Sequence, residues 1–420
     1  ASSLLLLLFC GFAFGGSVKA GVAKVDATLP VGVPIAGYNH GDRRVPKWPI
    51  PRFTTFTTFM TPSQGVMNPT WVKALVIDDG NEKICFVTLD LMCADGSLAF
   101  LAHLMARVDG FSIPFDRVTF SGSHTHSGPG GWVPQFGIQV TPTMDLFVPE
   151  VQRRLAASIA EAMVLAEKNL QDATIGADLG YLIDVTYNRR ADISPYVNST
   201  TIDPHLGVLR VDSADGKTKI ATLWNYAMHG TCMGPSNMQF SSDIMGFTND
   251  LIEQQIGGVA LFVNGDAGDI SPTEESCSSA PSFTGSYTIA DAVIATRLNM
   301  TVSNQATIKS ASANYNFGPT QTNWTLARSE NCTSGGPFNI CSICKVIDCT
   351  FNLEGGWAWV EENPRFTAFS LKINEKTTLF SSIPGEAILE LGWQIRNDSL
   401  DLGFDETFLV GYTNNYLMYF

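Results

Sequence analysis

The sequence predicts an α/β fold, a mixed β-sheet core flanked by helices. Three observations carry that expectation. Apolar residues make up 45% and charged residues 16% of the 420 positions, a balance that supports a large buried core. Short apolar runs of strand length recur, each leading into a polar or Gly-rich loop. Between them lie segments in which apolar residues return every three or four positions, the helical period.

The elements follow in chain order. Asp116 to Phe120 reads as a strand entering the loop Ser121 to Gly131. Pro149 to Lys168 reads as a helix, because Leu155, Ile159, Ala162, Met163 and Ala166 fall on one stripe. Lys219 to Tyr226 is a strand running into Met228-His229-Gly230, and Asn249 to Gln255 a helix. Gly258 to Val263 leads into Asn264 to Pro272, Thr377 to Ile383 into Pro384-Gly385-Glu386, and Thr407 to Val410 into Gly411 to Tyr419. Ala387 to Arg396 is helical. Residues 273–351 are rich in Ser, Thr, Gly and Cys and read as an excursion from the core. Sheets that gather such loops at one edge commonly build sites there.

Composition narrows the partners. A net charge of −14 repels phosphate backbones and offers anionic lipid no basic patch, so nucleic acid is excluded as an expected partner. The apolar run Leu4 to Leu8, with small residues before Ala20, fits part of a secretory signal over residues 1–20, with a folded domain over 21–420. A buried N-terminal helix or strand is the alternative. No segment has the ~20 uninterrupted apolar residues of a membrane span, which leaves peripheral membrane contact as the expected mode. Sequons at Asn198, Asn299, Asn323, Asn331 and Asn397 agree with export to the extracellular space or cell surface. Removing Cys10 with the signal leaves Cys85, Cys93, Cys232, Cys277, Cys332, Cys341, Cys344 and Cys349, an even set that suggests disulfides. A structural zinc site at Cys341-x-x-Cys344 is the competing reading.

Six histidines are present, and three of them, His124, His126 and His229, sit in the strand-end loops. A His-x-His pair at a strand end can present both rings to one side. Glu386 follows Pro384-Gly385 at a strand-to-helix turn, and Tyr416 and Tyr419 close the last loop. Two imidazoles, a carboxylate and a phenol at separate strand ends suit Zn²⁺, which takes N and O ligands and keeps a position for water in catalytic sites. Taken singly, each has an ordinary explanation: Asp266 and Asp269 as turn residues, Glu386 as a helix N-terminal charge.

In combination these motifs resemble the neutral ceramidases. Gly122-Ser-His-Thr-His-Ser-Gly-Pro-Gly-Gly131, Asn225-Tyr-Ala-Met-His-Gly230, Ser241-Ser242-Asp243, Asn264-Gly-Asp-Ala-Gly-Asp-Ile-Ser-Pro272, Pro384-Gly385-Glu386, Asn414-x-Tyr416-x-x-Tyr419 and Ala36-Gly37-Tyr38 occur in that family's order. The resemblance implies one Zn²⁺ held by His124, His229, Glu386 and Tyr419, with room for a further Mg²⁺ or Ca²⁺. It implies that His126 and Arg189 face the substrate, that Gly37 lends it a backbone group, and that Ser271 either acts as a nucleophile or ties its own loop. The implied reaction is hydrolysis of the amide of ceramide or another N-acyl lipid to a fatty acid and a sphingoid base. The implied fold is the family's catalytic domain without its C-terminal immunoglobulin-like β-sandwich. Arg190 stands where the family has Ser. The alternative is a non-catalytic secreted glycoprotein on the same fold with a surface or self-assembly role.

Overall fold

A computed structural model describes residues 16–43, 53–140, 144–280, 283–318 and 361–420. In chain order its strands are β1 (Gly16–Ser17), β2 (Lys19–Asp26), β3 (Gly65–Val66), β4 (Trp71–Asp78), β5 (Lys83–Leu89), β6 (Val118–Gly122), β7 (Gln171–Tyr181) and β8 (Thr186–Asn188). They continue as β9 (His205–Ser213), β10 (Lys219–Tyr226), β11 (Gln239–Phe240), β12 (Val259–Asn264) and β13 (Ile270–Pro272). The last are β14 (Gln305–Asn314), β15 (Arg365–Ile373), β16 (Lys376–Ser382) and β17 (Glu406–Val410). The helices are α1 (Gly96–Val108), α2 (Phe136–Val140), α3 (Pro149–Lys168), α4 (Asp243–Ile256), α5 (Thr284–Asn299) and α6 (Leu389–Asp401).

Eight strands form one mixed sheet in the order β12-β10-β9-β7-β2-β4-β5-β6. Its outer pairs, β5 with β6 and β10 with β12, are parallel, and each is joined by a helical crossover, α1 and α4, as parallel neighbours require. A second sheet runs β1-β14-β15-β16-β17. Strand alternation sorts the core between layers. Val72, Ala74 and Val76 of β4 pack with Leu155, Ile159 and Met163 of α3. Leu75 and Ile77 of the same strand pack with Phe369, Phe380 and Phe408 of the second sheet. Trp224 and Phe262 meet Ile252 of α4 and Ile289 and Val293 of α5. The layers are therefore helices, eight-stranded sheet and five-stranded sheet, with α6 packed on the far face of β17.

The large sheet curls so that its edge strands approach at their C-terminal ends. Asn264, closing β12, donates from Nδ2 to Ser123 O at 3.1 Å beyond β6 and to Met228 O at 2.8 Å beyond β10. That closure places the loops after β6, β10 and β12 side by side.

Several expectations change. The Ser/Thr-rich segment from Thr273 is no excursion over its described part: α5 packs on the sheet and β14 pairs with both β1 and β15. Residues 16–20, grouped with the leader, lie in β1 and β2 with Val18 and Ala20 fully buried, so a cut after Ala20 would remove strand pairs from the body. Cys232 and Cys277 form a disulfide, whereas Cys85 and Cys93 are buried free thiols, which corrects their place in an all-disulfide set. Cys332, Cys341, Cys344, Cys349, Asn323 and Asn331 lie outside the described residues. No helix among the described residues is long and apolar enough to cross a membrane.

Candidate metal centre

His124 stands two residues beyond β6 with φ 65 and 1% exposure. A non-glycine residue in the left-handed region costs energy and is usually held there by its surroundings. Here Nδ1 meets Met92 O at 2.7 Å and the ring stacks on Tyr412 at 4.1 Å between centroids. His229, after β10, is fully buried and its Nδ1 meets Ala267 O at 2.6 Å. Each carbonyl accepts a hydrogen only if Nδ1 carries it, which leaves the Nε2 lone pair free to ligate. Both Nε2 atoms face Glu386 Oε2, at 3.5 Å from His124 and 3.2 Å from His229.

Glu386 follows β16 and is 2% exposed; its Oε1 accepts from the Tyr416 hydroxyl. Oε2 and His229 Nε2 are buried without a hydrogen-bond partner among the described residues. Burial alone would raise the Glu386 carboxyl, but His124, His229 and the Tyr416 hydroxyl outweigh it and bring it down to about 2. Burial lowers the His124 imidazole to about 3 against the pull of Glu386. The site thus holds neutral imidazole and ionised carboxylate at neutral pH, the state a cation binds.

His126 Nε2 lies 3.1 Å from His124 Nε2, and His124, His126 and His229 form a group able to hold a metal ion. Two ligand atoms on a tetrahedral zinc stand roughly 3.3 Å apart, given bonds of about 2.0–2.1 Å. The imidazole–carboxylate separations fit that spacing, and the unpartnered Oε2 and Nε2 atoms fit a cation between them.

Gly37 backs this wall. It has φ 108, and a Cβ there would meet His126 Cβ at 2.7 Å, so only glycine lets the two segments approach. Tyr419 is 53% exposed and neighbours Glu386 through a parallel bridge. Burial of its hydroxyl, followed by the charge of Glu386, raises it to about 12. Arg189 Nη2 donates to Tyr419 Oη at 2.9 Å and to Gly268 O at 2.6 Å. Ser271 lies in β13 opposite Tyr187, and its hydroxyl makes no hydrogen bond to the imidazoles or Glu386. Arg190, the departure from the family pattern, donates from Nε to Asp269 at 3.0 Å and from Nη2 to Glu390 at 2.7 Å.

Sequence reasoning missed Arg43, Tyr412 and the bond from Tyr416. Fully buried Arg43 donates to Ala36 O at 2.7 Å, to the carbonyl of His126 and to Ser127 Oγ at 3.2 Å. It ties the Gly37 turn to the His126 loop. Nothing in its neighbourhood in sequence marks it, since that role exists only once both loops are folded. Of the sequon residues, Asn198, Asn299 and Asn397 are exposed, but Ser399 of the last sequon is fully buried.

Fold and site together define an α/β domain built around a buried imidazole–carboxylate cluster of metal-binding character. The chain belongs to the neutral/alkaline non-lysosomal ceramidase family, whose N-terminal model matches residues 52–323. It is 29% identical over 214 residues to neutral ceramidase B of Dictyostelium discoideum, covering 47% of this chain and 29% of that protein. It is 26% identical over 286 residues to the neutral ceramidase of Drosophila pseudoobscura pseudoobscura, covering 63% of this chain and 37% of that one. The chain thus spans about a third of the length of these relatives. The crystal structure of neutral ceramidase from Pseudomonas aeruginosa superimposes with a TM-score of 0.72 at 19% identity, over 97% of this chain and 69% of that one. The shared fold thus extends past residue 323 to the strand ends that carry Glu386 and Tyr419.

Proposed function

We propose that this domain hydrolyses the amide bond of ceramide, or of a closely related N-acyl lipid, with one Zn²⁺ held by His124, His229, Glu386 and Tyr419. The observation that carries the reading is the buried, unpartnered pair of His229 Nε2 and Glu386 Oε2 beside His124. Family membership supplies the reaction class, and a solved relative of the same fold is a ceramidase complexed with C2. A bound zinc supplies Lewis acidity and a nucleophile from water near neutral pH. The protein's own groups do the rest. His126, pressed against Gly37, stands at the edge of the cluster as a hydrogen-bond donor to the developing oxyanion. Arg189 orients the Tyr419 hydroxyl toward the same space and adds positive charge where negative charge develops. A nearby acid protonates the departing amine.

Purified chain is expected to hold about one zinc per molecule and to release fatty acid from ceramide. His124→Ala, melting as cooperatively as metal-stripped parent, is expected to lose both. Zinc binding without hydrolysis of any N-acyl amide would leave a metal-binding glycoprotein and end the amidase reading.

Export belongs to the same proposal. The Cys232–Cys277 disulfide suits an oxidising compartment. Asn198 and Asn299 are exposed acceptors, whereas the buried Ser399 makes Asn397 a poor one after folding. Endoglycosidase treatment of secreted protein should shift the mass at the first two sites and not at the third.

A further inference from the structure

Asp266 occupies the loop between β12 and β13, where the sequence suggests an ordinary turn residue. It is instead fully buried, and neither oxygen accepts a hydrogen bond from a donor among the described residues. Two charged groups face it. Arg396 of α6 places Nη2 at 3.6 Å from Asp266 Oδ1 and pairs through the same nitrogen with Asp203 Oδ2. Asp203 is 1% exposed and receives His205 Nδ1 at 2.6 Å. Gly392, one turn before Arg396, leaves the space: a Cβ there would stand 1.9 Å from Asp266 Oδ2. Burial, then the charge of Asp203, pushes the Asp266 carboxyl well above the usual range, while burial of Asp203 is outweighed by Arg396 and His205, which hold its carboxyl below that range, an arrangement that favours the neutral form at Asp266.

The loop that Asp266 anchors touches the metal centre from two sides. Its next residue, Ala267, offers the carbonyl that orients His229 Nδ1 at 2.6 Å. Gly268 N donates to Ala387 O at 2.8 Å, next to Glu386. Asp269 Oδ1 accepts from Leu389 N at 3.0 Å, in the first turn of α6. We infer that Asp266 is a positioning residue: wedged against Gly392 and coupled through Arg396, it locks the 264–270 loop to α6 and so sets His229 relative to Glu386. This inference rests on the metal-centre reading and not on the identity of the substrate.

The test is zinc affinity, measured by chelator competition on the full chain, with a thermal melt on the same samples. Asp266→Asn keeps a neutral side chain of the same shape and is expected to bind zinc within about twofold of the parent. Asp266→Ala is expected to weaken zinc binding on the order of 10-fold or more while melting cooperatively. Gly392→Ala keeps the carboxyl but crowds it, and is expected to weaken zinc in the same direction. Unchanged affinity in folded Asp266→Ala, or a loss in Asp266→Asn equal to that in Asp266→Ala, overturns the inference. Should Asp266→Ala fail to fold, a loss of more than about 10-fold in Asp266→Asn overturns it and retention there sustains it. A parent chain that binds zinc yet cleaves no ceramide refutes the proposed substrate and leaves this inference standing.

Discussion

At the scale of single residues, orientation of the ligands matters as much as their presence. Tyr416 donates to Glu386 Oε1 and thereby turns Oε2 toward the imidazoles. Tyr416→Phe removes only that bond, and zinc affinity by equilibrium dialysis is expected to fall on the order of 10-fold; an unchanged affinity would mean that the carboxylate needs no such orientation. Gly37→Ala acts on the other wall. A methyl placed 2.7 Å from His126 Cβ must displace that ring. The expected result is a fall in kcat/KM on ceramide of about 100-fold, with zinc content by elemental analysis equal to the parent. His124, His229 and Glu386 were legible as candidates because imidazole and carboxylate stand beside small residues at strand ends, and Tyr419 only through its spacing from Asn414 and Tyr416. Arg43, Tyr412 and Asp266 were not, since a buried polar residue declares itself only through partners that tertiary structure brings.

Among the elements, α3 carries the clearest stripe, and its observed limits, Pro149–Lys168, are those its periodicity predicts. β14 shows the opposite case. Ala306 and Ile308 point into the inter-sheet core while Gln305, Thr307 and Lys309 alternate to the other face, so its composition resembles a loop although its alternation is that of a strand. α5 is held to the sheet by a buried ion pair as well as apolar contact. Arg297 is fully buried, donates from Nε to Thr222 Oγ1 at 2.8 Å and pairs through Nη2 with Asp212. Burial would raise the Asp212 carboxyl, but hydrogen bonds from Arg297 and Arg210 outweigh it and hold it below the usual carboxylate range. The native value lying below the unfolded one, this stabilisation is complete above about pH 4 and is lost as the pH falls through the native value. Asp212→Asn strands the Arg297 charge, so it should cost on the order of 3 kcal/mol at pH 7. Urea titrations from pH 7 to pH 3 should also show a shallower acid dependence than the parent.

For the whole molecule, the covalent tie and the curled sheet serve one end, closing the site. The Cys232–Cys277 bond joins the segment after His229 to the approach to α5, at a sequence separation of 45. A loop of that length is worth about 4 kcal/mol in chain entropy. Cys232→Ser/Cys277→Ser is therefore expected to lower the melting temperature by several degrees, and an unshifted melt would show the tie to be energetically idle. The layered α/β plan was readable from alternating runs, whereas the meeting of the two sheet edges was not, because it depends on twist accumulated over eight strands. Closure has a temporal consequence. His124 follows β6, while Glu386 and Tyr419 follow β16 and β17, more than 250 residues later in the chain. A chain emerging from the ribosome therefore displays its imidazoles long before the carboxylate that joins them in the cluster. On the proposed ligand set, tight capture of an ion must wait until synthesis has passed residue 386. From then on such an ion would act as a latch on the folded domain, adding about 2.7 kcal/mol at a hundredfold excess over its Kd.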